Sequence, residues 1–462
     1  MRKTFLFTVA VAAALAAAAD VKILEPAADA TVPLLTDAQK AYVSMDAEAR
    51  RAKFADAQFR KSGMGLPAEK VPGEEKAREA YWPKTVRLAW EAKDGVEYRV
   101  SVLSAKNGKS VFEGTAKGGE IFIDNLEVAT AYEWTVQGGG DVGRGRFRTE
   151  VMTPRLVRFP GVPNVRDLGG WIGLGGRRVK QGMVFRSAGL NDNARKVFYT
   201  VDELRNLGKT EELKKAAEKA QKRLDQLRAW QADPKTMDRK DIEYLEWCTR
   251  HPNEPVAKFL SSRIGRAKKS VKEGGSPQVE KGREPGKNRV EGEKGEYVRS
   301  RFGIRSDIDL RSDPECFGMA GSPLGDSVRW FHYSSSAYSG MQDDFGRDAF
   351  RKVFKVFLDE RNYPIDFHCI AGQDRTGAVA YIIGALLGAD ENRLALDWET
   401  TGFWNRNPSF NHKRLYDRLV KGFTDKFPAD TVRERVEKYV LSLGFSMDDI
   451  SKLRSIMLED CK

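Results

Sequence analysis

Residues 363–388 read YPIDFHCIAGQDRTGAVAYIIGALLG, a short strand bounded by Pro364, a glycine-containing loop, and an apolar helix from about Thr376 to Leu387. A chain that turns from strand into helix presents successive backbone N–H groups at the helix start, a nest whose natural guest is a phosphate or sulfate. Gly372 allows the tight backbone approach. Five residues separate Cys369 from Arg375, enough to wrap one tetrahedral oxyanion with sulfur beneath and the planar guanidinium fork alongside. The sulfur needs the same surroundings. A free thiol with pKa near ~8.5 is only about 3% thiolate at neutral pH. A shift of roughly three units requires about 4 kcal/mol, more than the ~0.3 to 2 kcal/mol of a helix dipole. The loop amides and Arg375 must supply the rest, so the groups that bind phosphate also activate the nucleophile.

At 462 residues and 51.8 kDa the chain exceeds what one core usually supports. With 41% hydrophobic and 31% charged residues it can bury a core, and no mid-chain apolar run is long enough to span a membrane. Residues 1–19, MRKTFLFTVAVAAALAAAA, have Arg2 and Lys3, an apolar stretch from Phe5 and an Ala17-x-Ala19 cleavage pattern before Asp20, the layout of a secretory signal. The expectation is an exported protein, periplasmic or secreted. Four cysteines, Cys248, Cys316, Cys369 and Cys461, are too few and scattered for a disulfide framework. The histidines lack metal-site spacing, so neither metal nor other cofactor is expected.

Across 20–150 the pattern predicts an all-β sandwich. TVRLAW, YRVSVL, SVFEG, EIFIDNL, AYEWTV and GRFRTE alternate as half-buried strands do, separated by turns at KDG, KNGK and QGGGD. VKILEPAADATVPLL would supply a first strand and TDAQKAYVSMDAEARRAKFADAQFRK one or two inserted helices. The segment resembles a fibronectin type III module, with Trp90 as its core tryptophan and Leu126 with Tyr132 as its leucine-to-tyrosine corner.

From 151 to 462 the style is that of an α/β domain, interrupted at about 195–300 by a basic segment with 26 Lys and Arg against 18 Asp and Glu. Its Leu204, Leu207, Leu213, Ala217, Leu224 and Leu227 have helical spacing, whereas KEGGSPQVEKGREPGKNRVEGEKG is expected to be a flexible loop. Such a surplus of charge is read as a solvated surface that can also attract an anionic surface or partner.

HCxxGxDRTG resembles the signature loop of cysteine-dependent tyrosine phosphatases, specifically the bacterial family with an aspartate just before the loop arginine. NVRDLGG at Asn164 to Gly170, VFRSAGL at Val184 to Leu190, IDLRSDPE at Ile308 to Glu315 and the C-terminal VLSLGFSMDDISKLRSIML follow in that family's order. The likeness covers 155–195 and 297–460. It implies an α/β phosphatase fold, a central sheet flanked by helices, with Cys369 as nucleophile, Arg375 as phosphoryl ligand, and Asp374 as general acid and later base. Ile370, Ala371, Gly372, Gln373, Thr376 and Gly377 would line the substrate, and Thr376 would also hydrogen-bond the sulfur. Asp343 and Asp344 in SGMQDDFG are the rivals to Asp374. His368 is read as fixing the loop, Arg166 and Asp309 as scaffold with a lesser prospect of touching substrate, and Trp398, Phe403 and Trp404 as core. The family usually has lysine at Gln373, which removes one positive charge here.

The expected partner is a phosphorylated substrate, with protein phosphotyrosine favoured over lipid or metabolite, and neither nucleic acid nor stable membrane insertion. A catalytically weak phosphopeptide-binding or adhesion module is the alternative. A rhodanese or arsenate-reductase chemistry is disfavoured because those loops lack the DRTG continuation.

Overall fold

The computed structural model describes residues 20–200 and 278–461, except 57, 60–63, 65–69, 73–77, 80 and 405–413, together with 208, 211, 214, 218 and 225 between them. The signal segment and most of the helical stretch expected in the insertion therefore lie outside the described residues. The chain divides into two compact units, Met1–Asp192 with Lys287–Asp313 and Ala320–Lys462, and Asn193–Gly286 with Pro314–Met319.

The larger unit begins with strands β1 (Ile23–Glu25), β2 (Ala30–Val32), β3 (Val86–Trp90), β4 (Tyr98–Ser104), β5 (Ser110–Ala116), β6 (Glu120–Ile123), β7 (Ala131–Gly138) and β8 (Asp141–Thr149). They form two sheets, β1-β3-β6 and β2-β8-β7-β4-β5. Alternation decides which side chains enter: Tyr98, Val100 and Val102 of β4 and Tyr132, Trp134 and Val136 of β7 point inward and join Leu88, Trp90 and Ile123 of the other sheet in one core. Trp90 sits 5.6 Å from the Tyr98 ring and 6.4 Å from Trp134. The stretch expected to give one first strand gives two, β1 on one sheet and β2 on the other.

Two helices precede β3. Thr36 and Gln39 form a capping box for α1 (Asp37–Val43), and Asp46 accepts from Ala49 N–H, at 2.7 Å, at the start of α2 (Ala47–Ala55). Their apolar residues Tyr42 and Phe54 belong to the core of the following α/β domain rather than to the sandwich core.

That domain is built on a six-stranded sheet. Its strands are β9 (Arg155–Leu156), β10 (Arg166–Asp167), β12 (Val184–Ser187), β15 (Ser306–Asp309), β16 (Arg329–His332) and β17 (Ile365–His368). In the order β16-β15-β17-β12-β10-β9, the first four run parallel and the last two pair antiparallel. A further strand, β11 (Arg178–Val179), pairs with the C-terminal β18 (Leu458–Glu459). Successive residues of β12 face opposite ways, Val184 into one core and Phe185 into the other. Helix α3 (Glu293–Phe302) covers the second core with Val298 and Phe302. The first is filled by α4 (Asp344–Phe357), α5 (Arg375–Leu386), α6 (Glu391–Thr400), α7 (Lys421–Lys426), α8 (Val432–Ser442) and α9 (Met447–Met457). Helix α5 is buried from Thr376 to Leu386, which is why it carries no polar face.

In the smaller unit β13 (Arg195–Thr200) pairs antiparallel with β14 (Gln278–Glu284). Part of the segment expected as a flexible loop is thus a strand, because it finds β13 as a hydrogen-bonding partner. The chain is back in the larger unit at Lys287, earlier than the boundary near 300 that charge counting suggests. Among the described residues no helix is long and apolar enough to cross a membrane.

Candidate active site

The loop from Cys369 to Asp374 joins β17 to α5 in the middle of the parallel strands. Gly372 has φ +62°, and a Cβ there would stand 2.3 Å from the Ser187 carbonyl oxygen, so only glycine fits. The loop's carbonyl groups are fastened from outside. Ile370 O accepts from Gly189 N–H at 3.1 Å. Ala371 O accepts from Asn164 Nδ2 at 2.8 Å, and Gly372 O from Arg186 Nη2 at 2.6 Å and Asn164 Nδ2 at 3.2 Å. A planar trans peptide directs its N–H opposite to its C=O. Fastening these three carbonyls outward turns the N–H groups of Ala371, Gly372 and Gln373 toward the concave side, where an anion would sit.

The fasteners are themselves held. Asp397 on α6 accepts from Arg166 Nε at 2.9 Å and from Arg186 Nη1, while Arg166 also donates to Asn164 Oδ1 at 2.5 Å and Thr401 Oγ1 at 3.1 Å. Burial pushes the Asp397 carboxyl up, but Arg166 and Arg186 outweigh it and hold it down at about 2. Burial, with Arg166 adding to it, brings Arg186 down to about 10. Arg166 is therefore a strut behind the loop, not a group on its concave face. Its neighbour Asp167 is likewise structural, accepting from Arg155 Nη1 and Gly182 N–H at 2.6 Å each.

Cys369 is 2% exposed. Burial alone would raise its thiol; the Arg375 charge and the hydroxyl and amide of Thr376 more than offset this, so the group lies below the ordinary thiol range, with Asp374 opposing. Arg375 also donates through Nη1 to Leu310 O at 3.2 Å. Next to Cys369 in the chain, His368 lies buried with Nε2 3.0 Å from Asp307 Oδ1 and Nδ1 3.9 Å from Asp309 Oδ1. Burial opposes its charge, but Asp309 and Asp307 raise it to about 9. Asp309 is gripped by Arg311, Nε at 2.9 Å and Nη2 at 2.6 Å, which with His368 keeps it ionised despite burial. Burial raises the adjacent Asp366 to about 7.

Asp374 is the first-turn boundary residue of α5, with its side chain 38% exposed. Its Oδ1 accepts from Tyr338 Oη and from Gln373 Nε2 at 3.3 Å, and Arg414 Nη1 stands at 3.9 Å. Asp343 and Asp344 are exposed at the N-terminal end of α4, and no hydrogen bond or ion pair among the described residues joins either to the loop. Trp398 and Phe403 are core, and a Cβ on Gly377 would meet the Trp398 ring at 2.6 Å, while Trp404 is half-buried. Ile370 is the one apolar loop residue that faces out, 38% exposed. Cys316, Cys369 and Cys461 are free thiols, and Cys248 lies outside the described residues. Among the described residues no group of three His, Cys, Asp or Glu is placed to hold a metal.

Sequence reading did not single out Asn164, Arg186, Asp397, Tyr338 or Arg414. Asn164 and Arg186 lay inside quoted motifs, where a polar residue beside a buried strand was the available signal. The other three carry no local pattern.

A thiol on the floor of an amide-lined strand–loop–helix turn, set on a mixed sheet between two helical cores, defines an α/β phosphate-handling domain. A family model described as the tyrosine phosphatase family matches residues 157–275 and 283–459. The chain belongs to the tyrosine phosphatase family and is a phosphatase; the match runs through much of the basic segment that motif reading set aside as an interruption. No curated protein sequence matches the chain.

Proposed function

We propose that this phosphatase hydrolyses phosphate monoesters, with protein phosphotyrosine as substrate class, through a cysteinyl-phosphate intermediate. The observation that carries the reading is the buried Cys369 thiol, held below its ordinary range at the start of a loop whose carbonyls are drawn outward. Cys369 Sγ attacks phosphorus, forming S–P as the ester P–O bond breaks, and Asp374 gives its proton to the departing oxygen. Water then attacks phosphorus, Asp374 takes its proton, and S–P breaks to release inorganic phosphate and the thiolate. Arg375 and the loop amides bind the equatorial oxygens throughout. A cysteine only 2% exposed favours a phosphoryl group carried on a long aryl stem over a short alkyl one.

The N-terminal sandwich is read as fibronectin type III-like. Buried Trp90 and the bond from Glu127 N–H to Tyr132 Oη, at 2.8 Å, support this. Export rests on residues 1–19, and the basic segment is read as a dock for an anionic partner surface.

Recombinant protein should release phosphate from an aryl phosphate in the presence of a chelator and be inhibited by vanadate. Cys369→Ser should lower kcat by at least about 10³-fold. Turnover that survives this substitution overturns the mechanism, and phosphopeptide binding without turnover in the unmodified protein would favour a binding module.

A further inference from the structure

Asp374 bounds α5 with helical backbone angles, φ −85° and ψ −68°, so its carboxylate does not turn back over the helix's first N–H groups as that of an extended N-cap aspartate would. Its Oδ1 is instead taken by the Tyr338 hydroxyl and by Gln373 Nε2. Tyr338 lies outside the signature loop, at the start of a short 3-10 turn, Tyr338–Gln342, and has φ +57°. A bulky aromatic in the left-handed region is an outlier that persists only where its surroundings determine it, and such residues cluster at working sites. Those surroundings are specific. The Tyr338 ring meets Trp398 edge-on at 5.6 Å, and Trp398 in turn covers Gly377 on the first turn of α5. The turn's far end is tied down by the bond from Tyr439 Oη to Met341 O, at 2.6 Å. The hydroxyl is thus delivered to the loop aspartate by a rigid path, while Arg414 stands on the same carboxylate oxygen at 3.9 Å.

We propose that Tyr338 is a positioning residue for proton delivery: its hydroxyl holds the Asp374 carboxyl at the mouth of the loop and presents it to the leaving oxygen. The inference rests on the reading of Asp374 as the general acid. With Oδ1 accepting from Tyr338, the acid's proton is carried on Oδ2, the oxygen left to face substrate. In the second step the same hydrogen bond holds the ionised carboxylate while Oδ2 accepts the proton of the attacking water. Tyr338 touches neither the sulfur nor the phosphoryl ligands in this scheme, so its loss should leave attack intact and impair departure of oxygens that need protonation.

The test is kcat/KM for wild type, Tyr338→Phe and Asp374→Asn across aryl phosphates whose leaving groups range from dinitrophenol to phenol, with vanadate affinity measured on each. Tyr338→Phe should stay within about three-fold of wild type on the dinitrophenyl ester and fall by about 30- to 100-fold on phenyl phosphate, with vanadate affinity unchanged; general acids typically contribute ~10²- to 10⁴-fold. Asp374→Asn should show the same steepening, more strongly. Equal losses on every ester, or none, in Tyr338→Phe while Asp374→Asn steepens would overturn the role of Tyr338 and leave the acid assignment standing. A flat response in Asp374→Asn would remove the acid assignment itself. Should Tyr338→Phe prove too unstable to assay, 4-aminophenylalanine placed at 338 keeps the aromatic ring and an N–H donor at the reach of the native hydroxyl. It should retain the wild-type slope, and a steep slope there overturns the proposal.

Discussion

Replacing Asp397 by asparagine removes one negative charge and no volume, yet it should be among the most damaging single changes in this domain. Its carboxylate is shared by Arg166 and Arg186, whose side chains are 1% and 0% exposed. The two guanidinium groups address different carboxylate oxygens, Arg166 Nε on Oδ1 and Arg186 Nη1 on Oδ2, so the asparagine amide group would face one donor and both buried cations would lose their counter-charge. Breaking a buried pair from one side costs about 3–5 kcal/mol, set against a total of roughly 5–15 kcal/mol for a domain. At about 2–4 °C per kcal/mol for a domain of this size class, the unfolding midpoint should drop by about 6–20 °C. Function should suffer as well, because Arg186 is the donor that fastens Gly372 O. A loop displaced by about 1 Å can cost ~10²-fold in rate. Circular dichroism melts and a vanadate titration of Asp397→Asn read both effects. Removing the exposed pair Lys106–Glu459, 55% and 26% exposed, is the control and should cost under about 1 kcal/mol. A variant that melts within about 2 °C of wild type and binds vanadate equally well would refute the idea that this carboxylate holds the loop from behind.

The buried charges also fix a pH dependence. His368 is raised to about 9 from an ordinary 6.5, so its protonation stabilises the fold fully below pH 6.5, and that contribution, about 3 kcal/mol, is lost as pH rises through 9. Asp366, raised from 3.8 to about 7, retains a proton that the unfolded chain releases, so it also destabilises the fold with rising pH, between about 4 and 7. Urea unfolding from pH 5.5 to 9 should therefore show declining stability, flattened above pH 6.5 in His368→Gln; stability that rises over this range would contradict the assignment. Gly372→Ala adds a methyl 2.3 Å from Ser187 O at φ +62°. It should fold with a penalty of at least about 1–2 kcal/mol and lose ~10²-fold or more in kcat/KM; activity within two-fold of wild type in a steady-state assay would show that the loop can relax.

What could be read from residues alone was whatever local periodicity and motif order encode. The sandwich strands announced themselves by alternation, because each has one face on a core and one toward solvent. The strand–loop–helix around Cys369 was legible because Pro364, Gly372 and the all-apolar α5 punctuate it. Asp397 was not, since ENRLALDWET has no feature that says which of its acids meets a buried arginine 231 positions earlier. Tyr338 was hidden because a tyrosine in the left-handed region follows from its surroundings and not from propensity. The strand Gln278–Glu284 reads as a loop because it is poor in apolar residues, and its pairing with Arg195–Thr200 is made by backbone groups across a long excursion.

The placement of α1 and α2 shows why a domain boundary drawn by composition near Val151 misses the energetics. Residues two apart on a helix point about 200° from one another. On α6, Asp397 therefore faces the arginines behind the phosphate loop, while Glu399, buried at 1%, faces the opposite way. There it accepts from Arg50 Nε of α2 at 2.8 Å and from Tyr42 Oη of α1 at 3.0 Å, and Tyr42 also packs edge-on against Phe403 at 5.9 Å. Helix α6 is thus clamped by charge on both faces, once by the loop's scaffold and once by helices that the chain lays down before most of the sandwich. A phosphatase domain cut at Val151 would leave Glu399 as a buried carboxylate without its guanidinium and α6 free to shift, and the first thing it would shift is Asp397. The helices ahead of β3 are part of the machinery that keeps the loop carbonyls turned outward, although they belong in sequence to the other module.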